Sequence, residues 1–260
     1  MKVPPPPYVP GHDLLAGKTV LVTAAAGTGI GFATAKRCVE EGARVMVSDI
    51  HERRLGEAVE RLAEVAGAPP PSRLCNVREE GDVRALVDAA IAELGHVDVL
   101  INNAGLGGTA NVVEMTDDQW YDVLEITLTG TFRMTRAMLP HMIERAAGAI
   151  VNNASVLGWR AQVGQAHYAA AKAGVMALTR CTALEVAEHG VRVNAVAPSL
   201  ATHPFLAKVT PQALLDELEA REAFGRGAEV WEVANVMVFL ASEYASYMTG
   251  EVVSVSSQHP

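Results

Sequence analysis

Short apolar runs alternate with longer segments of helical period along nearly the whole chain. KTVLVT (18–23), ARVMVSD (43–49), VDVLIN (97–102), GAIVNNA (148–154) and VRVNAVA (191–197) are apolar at successive positions and rich in β-branched residues. Strands buried on both faces read this way. RLCNV (73–77) and EVVSV (251–255) are shorter strand candidates. Segments 30–41, 52–66, 79–94, 117–145, 168–188 and 229–242 carry helical periodicity, and Gly42, Gly67, Gly95 and Gly190 stop four of them. Pro140 predicts a kink in the longest. Segment 210–224 reads as a mobile helical insert. About seven strands separated by helices predict a parallel α/β sheet with helices on both faces, and right-handed crossovers make it doubly wound.

Residues 1–17 read as a Pro-rich arm ahead of one domain at 18–260, since no repeat, linker or composition break interrupts the rest. The stretch MKVPPPPYVP has no apolar core, so it is no secretory signal. Its prolines favour an extended, flexible lead-in. No apolar run reaches the roughly 18 residues a membrane span needs. Half of the 260 residues are hydrophobic and 20% are charged, which excludes global disorder. The net charge of −9 argues against nucleic acid as a partner. Cys38, Cys75 and Cys181 are too few and too scattered for a disulfide framework or a zinc site, and read as buried apolar residues in a reducing cytoplasm. No His, Asp or Glu cluster has metal-ligand spacing.

In a Rossmann-type sheet, ligands bind at the carboxyl ends of the strands. The first strand candidate runs into TAAAGTGIG. Gly27, Thr28, Gly29, Ile30 and Gly31 would turn tightly there and bring backbone N–H groups and a helix N-terminus to a pyrophosphate. Asp49 ends the second strand candidate, where a carboxylate accepts bonds from ribose hydroxyls and repels a 2′-phosphate; that favours NAD over NADP. Arg53 and Arg54 follow closely and could reach a 2′-phosphate, but read better as solvated helix residues. Asn76 and Val77 could hold adenine. Asn103, Ala104 and Gly105 are small or polar residues that let the chain pass close to the cofactor.

Ser155 follows the fifth strand candidate, Tyr168 comes 13 residues later, and Lys172 four beyond that. Tyr and Lys at i and i+4 share a helix face. A free phenol, with a pKa of about 10, is a poor base at neutral pH. A neighbouring ammonium favours the phenolate. Tyr168 could then take the proton of a substrate hydroxyl, with Ser155 hydrogen-bonded to the same oxygen.

These residues resemble the short-chain dehydrogenase/reductase family from Lys18 to about Val255. NNAG (102–105), Ser155, YAAAK (168–172), VRVNAVAP (191–198) and YMTGE (247–251) carry the resemblance. It implies an NAD- or NADP-dependent oxidoreductase, a homotetramer or homodimer paired through the long helices, and Pro198 and Thr202 as cofactor contacts. It also places Lys172 on the nicotinamide ribose. Several positions depart from the family pattern. The glycine loop is one residue longer, with Ala24 or Ala25 in place of its first glycine. Thr127 stands where the family's catalytic tetrad has Asn, and can offer a water one donor instead of an amide's two. Pro198 is followed by Ser199 instead of Gly, and Thr202 lies one residue closer to that proline. Ser256, Ser257 and Gln258 replace a terminal Asp-Gly-Gly.

TAAAGTGIG, HERRL, ITLTGTF and the VSVSSQHP tail together resemble an actinobacterial subgroup linked to breakdown of the last two steroid rings. That implies a hydroxylated indane-type carboxyl-CoA thioester as substrate class. Segment 199–224 reads as a lid over it, and Leu200, Phe205, Leu206, Val209, Leu214 and Leu215 suit an apolar substrate better than a sugar. Two other readings stand beside this one: a 3-oxoacyl thioester reductase of fatty-acid type, and a dinucleotide-binding sensor without catalysis. Trp159 and Arg160 fall near the substrate mouth, where Arg160 could pair with a carboxylate or CoA phosphate or equally form a surface salt bridge. His167 reads as a residue of the helix start, and His203 as an exposed loop residue that could also touch substrate from the lid.

Overall fold

The computed structural model describes residues 2–204, 206 and 212–258. Seven parallel strands form one sheet: β1 (Thr19–Val22), β2 (Arg44–Asp49), β3 (Ser72–Leu74), β4 (Val99–Asn102), β5 (Gly148–Asn153), β6 (Val191–Pro198) and β9 (Val252–Val255). Their spatial order is β3-β2-β1-β4-β5-β6-β9. The order reverses beside β1, between β1 and β4, which is where a doubly wound sheet opens a crevice. The expected doubly wound α/β sheet is therefore present.

Each strand presents alternate residues to opposite layers. Val20, Val22, Val45, Val47, Val99 and Ile101 pack with α1 (Ile30–Glu40), α2 (Glu52–Ala66) and α8 (Val230–Ala241). Leu21, Met46, Leu100 and Ile150 face the other way, onto α3 (Glu80–Leu94), α5 (Gly130–Glu144) and α6 (Ala166–Val186).

Four elements differ from the sequence expectation. The strand expected at 73–77 ends at Leu74, because Asn76 opens a turn: its N–H donates to Asp82 Oδ2 at 3.0 Å, and its Oδ1 accepts from Arg78 N at 3.1 Å. The helix expected at 117–145 is α4 (Asp117–Leu124), a wide π turn (Glu125–Thr129) and α5. It changes at that turn and stays α-helical through Pro140. A two-stranded parallel sheet, β7 (Ala201–Thr202) with β8 (Ala228–Glu229), was not expected. Of the insert expected at 210–224, helix α7 (Gln212–Arg221) is described, and residues 210–211 lie outside the described residues. So do the lid candidates Phe205 and Val209.

The Pro-rich arm packs on its own chain instead of leading in freely. An extended proline run has no internal hydrogen bonds, so its carbonyls need partners. Arg37 meets the end of the arm, donating to Val9 O and Pro10 O while paired with buried Glu41, which also accepts from His12 N and Leu14 N. Tyr8 meets Trp231 edge-on with ring centroids 5.3 Å apart, and Val3 N donates to Phe224 O at 2.9 Å.

Cys38 and Cys75 are buried, and burial pushes both thiols up to about 12. Cys181, expected inside, is exposed. It lies three residues before Leu184, 81% exposed, so both occupy an outer face of α6 that the sheet does not cover. Among the described residues, no helix is long and apolar enough to cross a membrane.

Candidate active site

The turn from β1 into α1 builds the first part of the site. Thr23 anchors it, accepting from Asn103 N at 3.0 Å and Ala104 N at 3.3 Å. Ala24 takes a left-handed conformation (φ 49°), and Gly27 another (φ 86°). Gly31 passes so close to the loop that a Cβ there would lie 2.2 Å from Ala24 O and 2.4 Å from Asn103 Nδ2. The one-residue extension is thus folded back on itself and pinned by Asn103, which donates to Ala24 O at 3.0 Å. Helix α1 begins at Gly29 with no side chain capping it. Its first N–H groups and positive end therefore remain for an anion.

A crevice of about 480 Å³ lies over this turn, lined by Gly27, Thr28, Gly29, Asn103 and Gly105. Arg61 joins it from α2, donating to Gly27 O at 2.8 Å with its guanidinium 3.7 Å from the Phe32 ring centroid. Sequence reasoning missed Arg61; no local signal places the third turn of one helix over the loop before another. Asp49 sits beneath the loop. Its carboxylate accepts from Ala26 N at 3.2 Å and His51 N at 3.0 Å. Burial raises its pKa, while the Ala26 N–H and the Arg54 charge pull it down.

An adjoining crevice of about 380 Å³ is lined by Ser155, Tyr168 and several leucines, among them Leu200, Leu206, Leu214 and Leu215. Ser155 ends the loop after β5, and its Oγ accepts from Leu157 N at 3.2 Å. Tyr168 comes from the first turn of α6 and lines the crevice beside Ser155. Burial pushes the phenol up, and the nearby Ser155 hydroxyl lowers it. Lys172, 3% exposed, stands one turn on with Nζ 5.6 Å from the Tyr168 ring centroid. It donates to Asn153 O, and burial lowers it to about 8. Ile30 and Pro198 line this crevice, and His203 lines both.

Thr127, fully buried, lies in the π turn. Its hydroxyl donates to Leu106 O at 3.2 Å and accepts from Leu106 N at 3.0 Å. Its one proton is therefore used, which leaves a lone pair and no donor for a water. Gly105 lies between it and Lys172: a Cβ there would be 3.6 Å from both Thr127 Oγ1 and Lys172 Nζ.

Asn76, Val77, Ala104 and Thr202 do not line these two crevices. Asn76 holds the turn into α3, and Val77 packs where a Cβ on Gly130 would touch it at 2.7 Å. Ala104 packs beside the β4–α5 core. Thr202 donates to Ala228 O at 3.3 Å across the small sheet, and its neighbour His203 faces the loop instead, 3.9 Å from a Cβ on Gly29. Among the described residues, no three His, Cys, Asp or Glu side chains gather to hold a metal.

A family model described as enoyl-(acyl carrier protein) reductase, adh_short_C2, matches residues 24–257. The chain is 59% identical over 256 residues to the Mycobacterium tuberculosis (5R,7aS)-5-hydroxy-7a-methyl-1-oxo-2,3,5,6,7,7a-hexahydro-1H-indene-carboxyl-CoA reductase, covering 98% of each. It is 38% identical to a Thermotoga maritima 3-oxoacyl-(acyl-carrier-protein) reductase, covering 93% of this chain and 97% of that one. A crystal structure of a short-chain dehydrogenase from Mycobacterium smegmatis superposes with a TM-score of 0.87 at 54% identity, covering 98% of each chain. With a glycine turn at the sheet's crevice and Ser155, Tyr168 and Lys172 beside it, the chain belongs to the short-chain dehydrogenase/reductase family, oxidoreductases that depend on a nicotinamide dinucleotide.

Proposed function

We propose that this chain interconverts a secondary alcohol and a ketone on an apolar ring system carried as a CoA thioester, in sterol breakdown, with NAD as hydride partner. One observation carries the reading: Ser155 and Tyr168, backed by Lys172, line a crevice that they share with Leu200, Leu206, Leu214 and Leu215. The substrate class comes from the 59% identical relative, whose name describes an indene-carboxyl-CoA reductase. The 3-oxoacyl thioester reading rests on a relative at 38%.

The residues fit a dinucleotide. Gly27 to Gly29 and the uncapped start of α1 would hold its pyrophosphate. Lys172 would hold the nicotinamide ribose. Asn153 Oδ1, buried without a donor, offers another acceptor at the crevice. When bound, the dinucleotide supplies the hydride acceptor or donor. In alcohol oxidation Tyr168 Oη accepts the hydroxyl proton while Ser155 hydrogen-bonds the same oxygen. In ketone reduction Tyr168 returns that proton. Lys172, an ammonium at neutral pH, stabilises the phenolate between the two.

The carboxylate of Asp49 is the basis for preferring NAD. Among the nearby arginines, Arg53 is paired with Glu57 at 2.6 Å, and Arg61 is engaged with Gly27 O. Asp49→Ala is expected to weaken NADH about tenfold and to improve NADPH, read by fluorescence titration; Asp49→Asn, which keeps an acceptor for Ala26 N, should follow the same direction. An unchanged preference in both variants would remove Asp49 from the ribose site.

The outer face of α6 bearing Leu184, with part-exposed Phe132 on α5, supports pairing into a dimer or tetramer. The three free cysteines suit a reducing cytoplasm. The function is tested by hydride transfer with NAD and NADP against ring-derived CoA thioesters, free hydroxysteroids and 3-hydroxyacyl thioesters. The ring thioester with NAD should give the highest kcat/KM. A preference for 3-hydroxyacyl thioesters would favour the fatty-acid reading, and NADH binding without any turnover would favour a sensor.

A further inference from the structure

The tail after β9 runs back into the substrate crevice, where it meets a buried carboxylate that the chemistry above does not use. Glu222, just past α7, is 4% exposed. Its Oε2 accepts from Ser257 Oγ at 2.8 Å, and its Oε1 from Gln258 Nε2 at 2.7 Å. The other end of the same amide, Gln258 Oε1, accepts from Arg160 Nη1. A guanidinium only donates and a carboxylate only accepts, so the orientation of the Gln258 amide is fixed by its two neighbours. Glutamate at this position would repel Glu222, and lysine would repel Arg160. An amide can join the two.

This relay ties together three segments around one crevice: the loop after β5 that carries Ser155, the end of the lid helix, and the tail. Arg160 and Gln258 both line the crevice that holds Ser155 and Tyr168. Much of the rest of the lining is leucine, so a hydrocarbon would gain nothing from a cation and an amide placed here. A substrate oxygen would.

We propose that Gln258, with the Arg160 it positions, is a specificity-determining residue that recognises a second oxygen acceptor on the substrate, a carbonyl remote from the reacting carbon. This rests on the ring-alcohol reading above and adds that a ring alcohol without such an oxygen is a poorer ligand. Glu222 acts through Gln258 and is a positioning residue.

The test uses a bicyclic hydroxy-ketone and its counterpart lacking the ketone. Each is titrated calorimetrically into the NADH-loaded wild type, Gln258→Ala and Gln258→Glu, with melting temperature and NADH affinity measured alongside. The expected result is a preference for the hydroxy-ketone in the wild type. Gln258→Ala should lose about tenfold in its affinity, with affinity for the counterpart and for NADH unchanged. Gln258→Glu should lose at least as much. Equal losses for both ring alcohols, or an unchanged hydroxy-ketone affinity, would overturn the proposal and reduce the tail to a structural brace. Binding is read without turnover, so this outcome is separable from failure of the hydride-transfer assay, which would sink the functional reading instead.

Discussion

Tyr168→Phe is expected to lower kcat about a thousandfold while NADH still binds with near-normal affinity. The substitution removes one oxygen and keeps the ring, so packing at the start of α6 is retained. What it removes is the group that exchanges a proton with the substrate oxygen. Ser155 stays in place, since its Oγ still accepts from Leu157 N. Lys172 keeps its bond to Asn153 O. The dinucleotide turn lies between β1 and α1, and the crevice over it is not lined by the phenol. Steady-state rates and fluorescence titration on the same preparation separate the two effects. Turnover within about fivefold of wild type would show that Tyr168 is not the proton carrier.

The second large effect is expected from Gly31→Ala. A Cβ at this position would sit 2.2 Å from a backbone oxygen and 2.4 Å from Asn103 Nδ2, so the loop or the helix has to move. Overpacking of this kind costs about 1–3 kcal/mol, or roughly 5 °C in melting temperature for a chain of this size. The damage should also travel. Asn103 bonds Ala24 O with one end of its amide and accepts from Asn153 Nδ2 at 2.9 Å with the other. Asn153 O in turn receives Lys172 Nζ. Displacing Asn103 therefore disturbs both the anion-binding turn and the ammonium behind Tyr168. Dinucleotide affinity should fall at least about tenfold, and kcat should fall with it. A variant with wild-type melting and wild-type NADH affinity would mean that the close approach at Gly31 is relaxed in solution.

Local signals in the sequence proved the most legible. Helix α2 spans 52–66 as expected, because a strong apolar stripe meets Gly67, which adopts the left-handed conformation that ends a helix. The buried strands β1, β2, β4, β5 and β6 were visible as continuous apolar runs. The Tyr168–Lys172 juxtaposition was visible because i,i+4 spacing is fixed by helix geometry alone. Features set by distant contacts were not legible. Strand β3 is exposed and three residues long, so no hydrophobic pattern marks its end. The π turn that carries Thr127 does not show in a periodicity of 3.6, and the two bonds of Thr127 to Leu106 are contacts across 21 residues. Arg61 and Gln258 look like ordinary surface residues until the fold brings them to Gly27 and Glu222. The position of Thr202 illustrates the same limit. A one-residue offset within a two-residue strand turns its side chain to Ala228 and gives His203 the place over the glycine loop.

The central claim is that a buried ammonium makes Tyr168 acidic enough to act. Burial pushes the Tyr168 phenol up and lowers Lys172 to about 8, so at neutral pH the phenol is protonated and the lysine is mostly charged. Alcohol oxidation needs the phenolate, so its rate should rise with pH through the phenol's ionisation in the loaded enzyme. Ketone reduction needs the neutral phenol and should fall across the same range. Neutralising the lysine removes the charge that favours the phenolate. The decisive measurement is the pH dependence of kcat/KM for alcohol oxidation in the wild type and in Lys172→Met, with NAD saturating. The account predicts that the inflection moves to higher pH by about one pH unit or more in the variant; an inflection at the wild-type pH would contradict it.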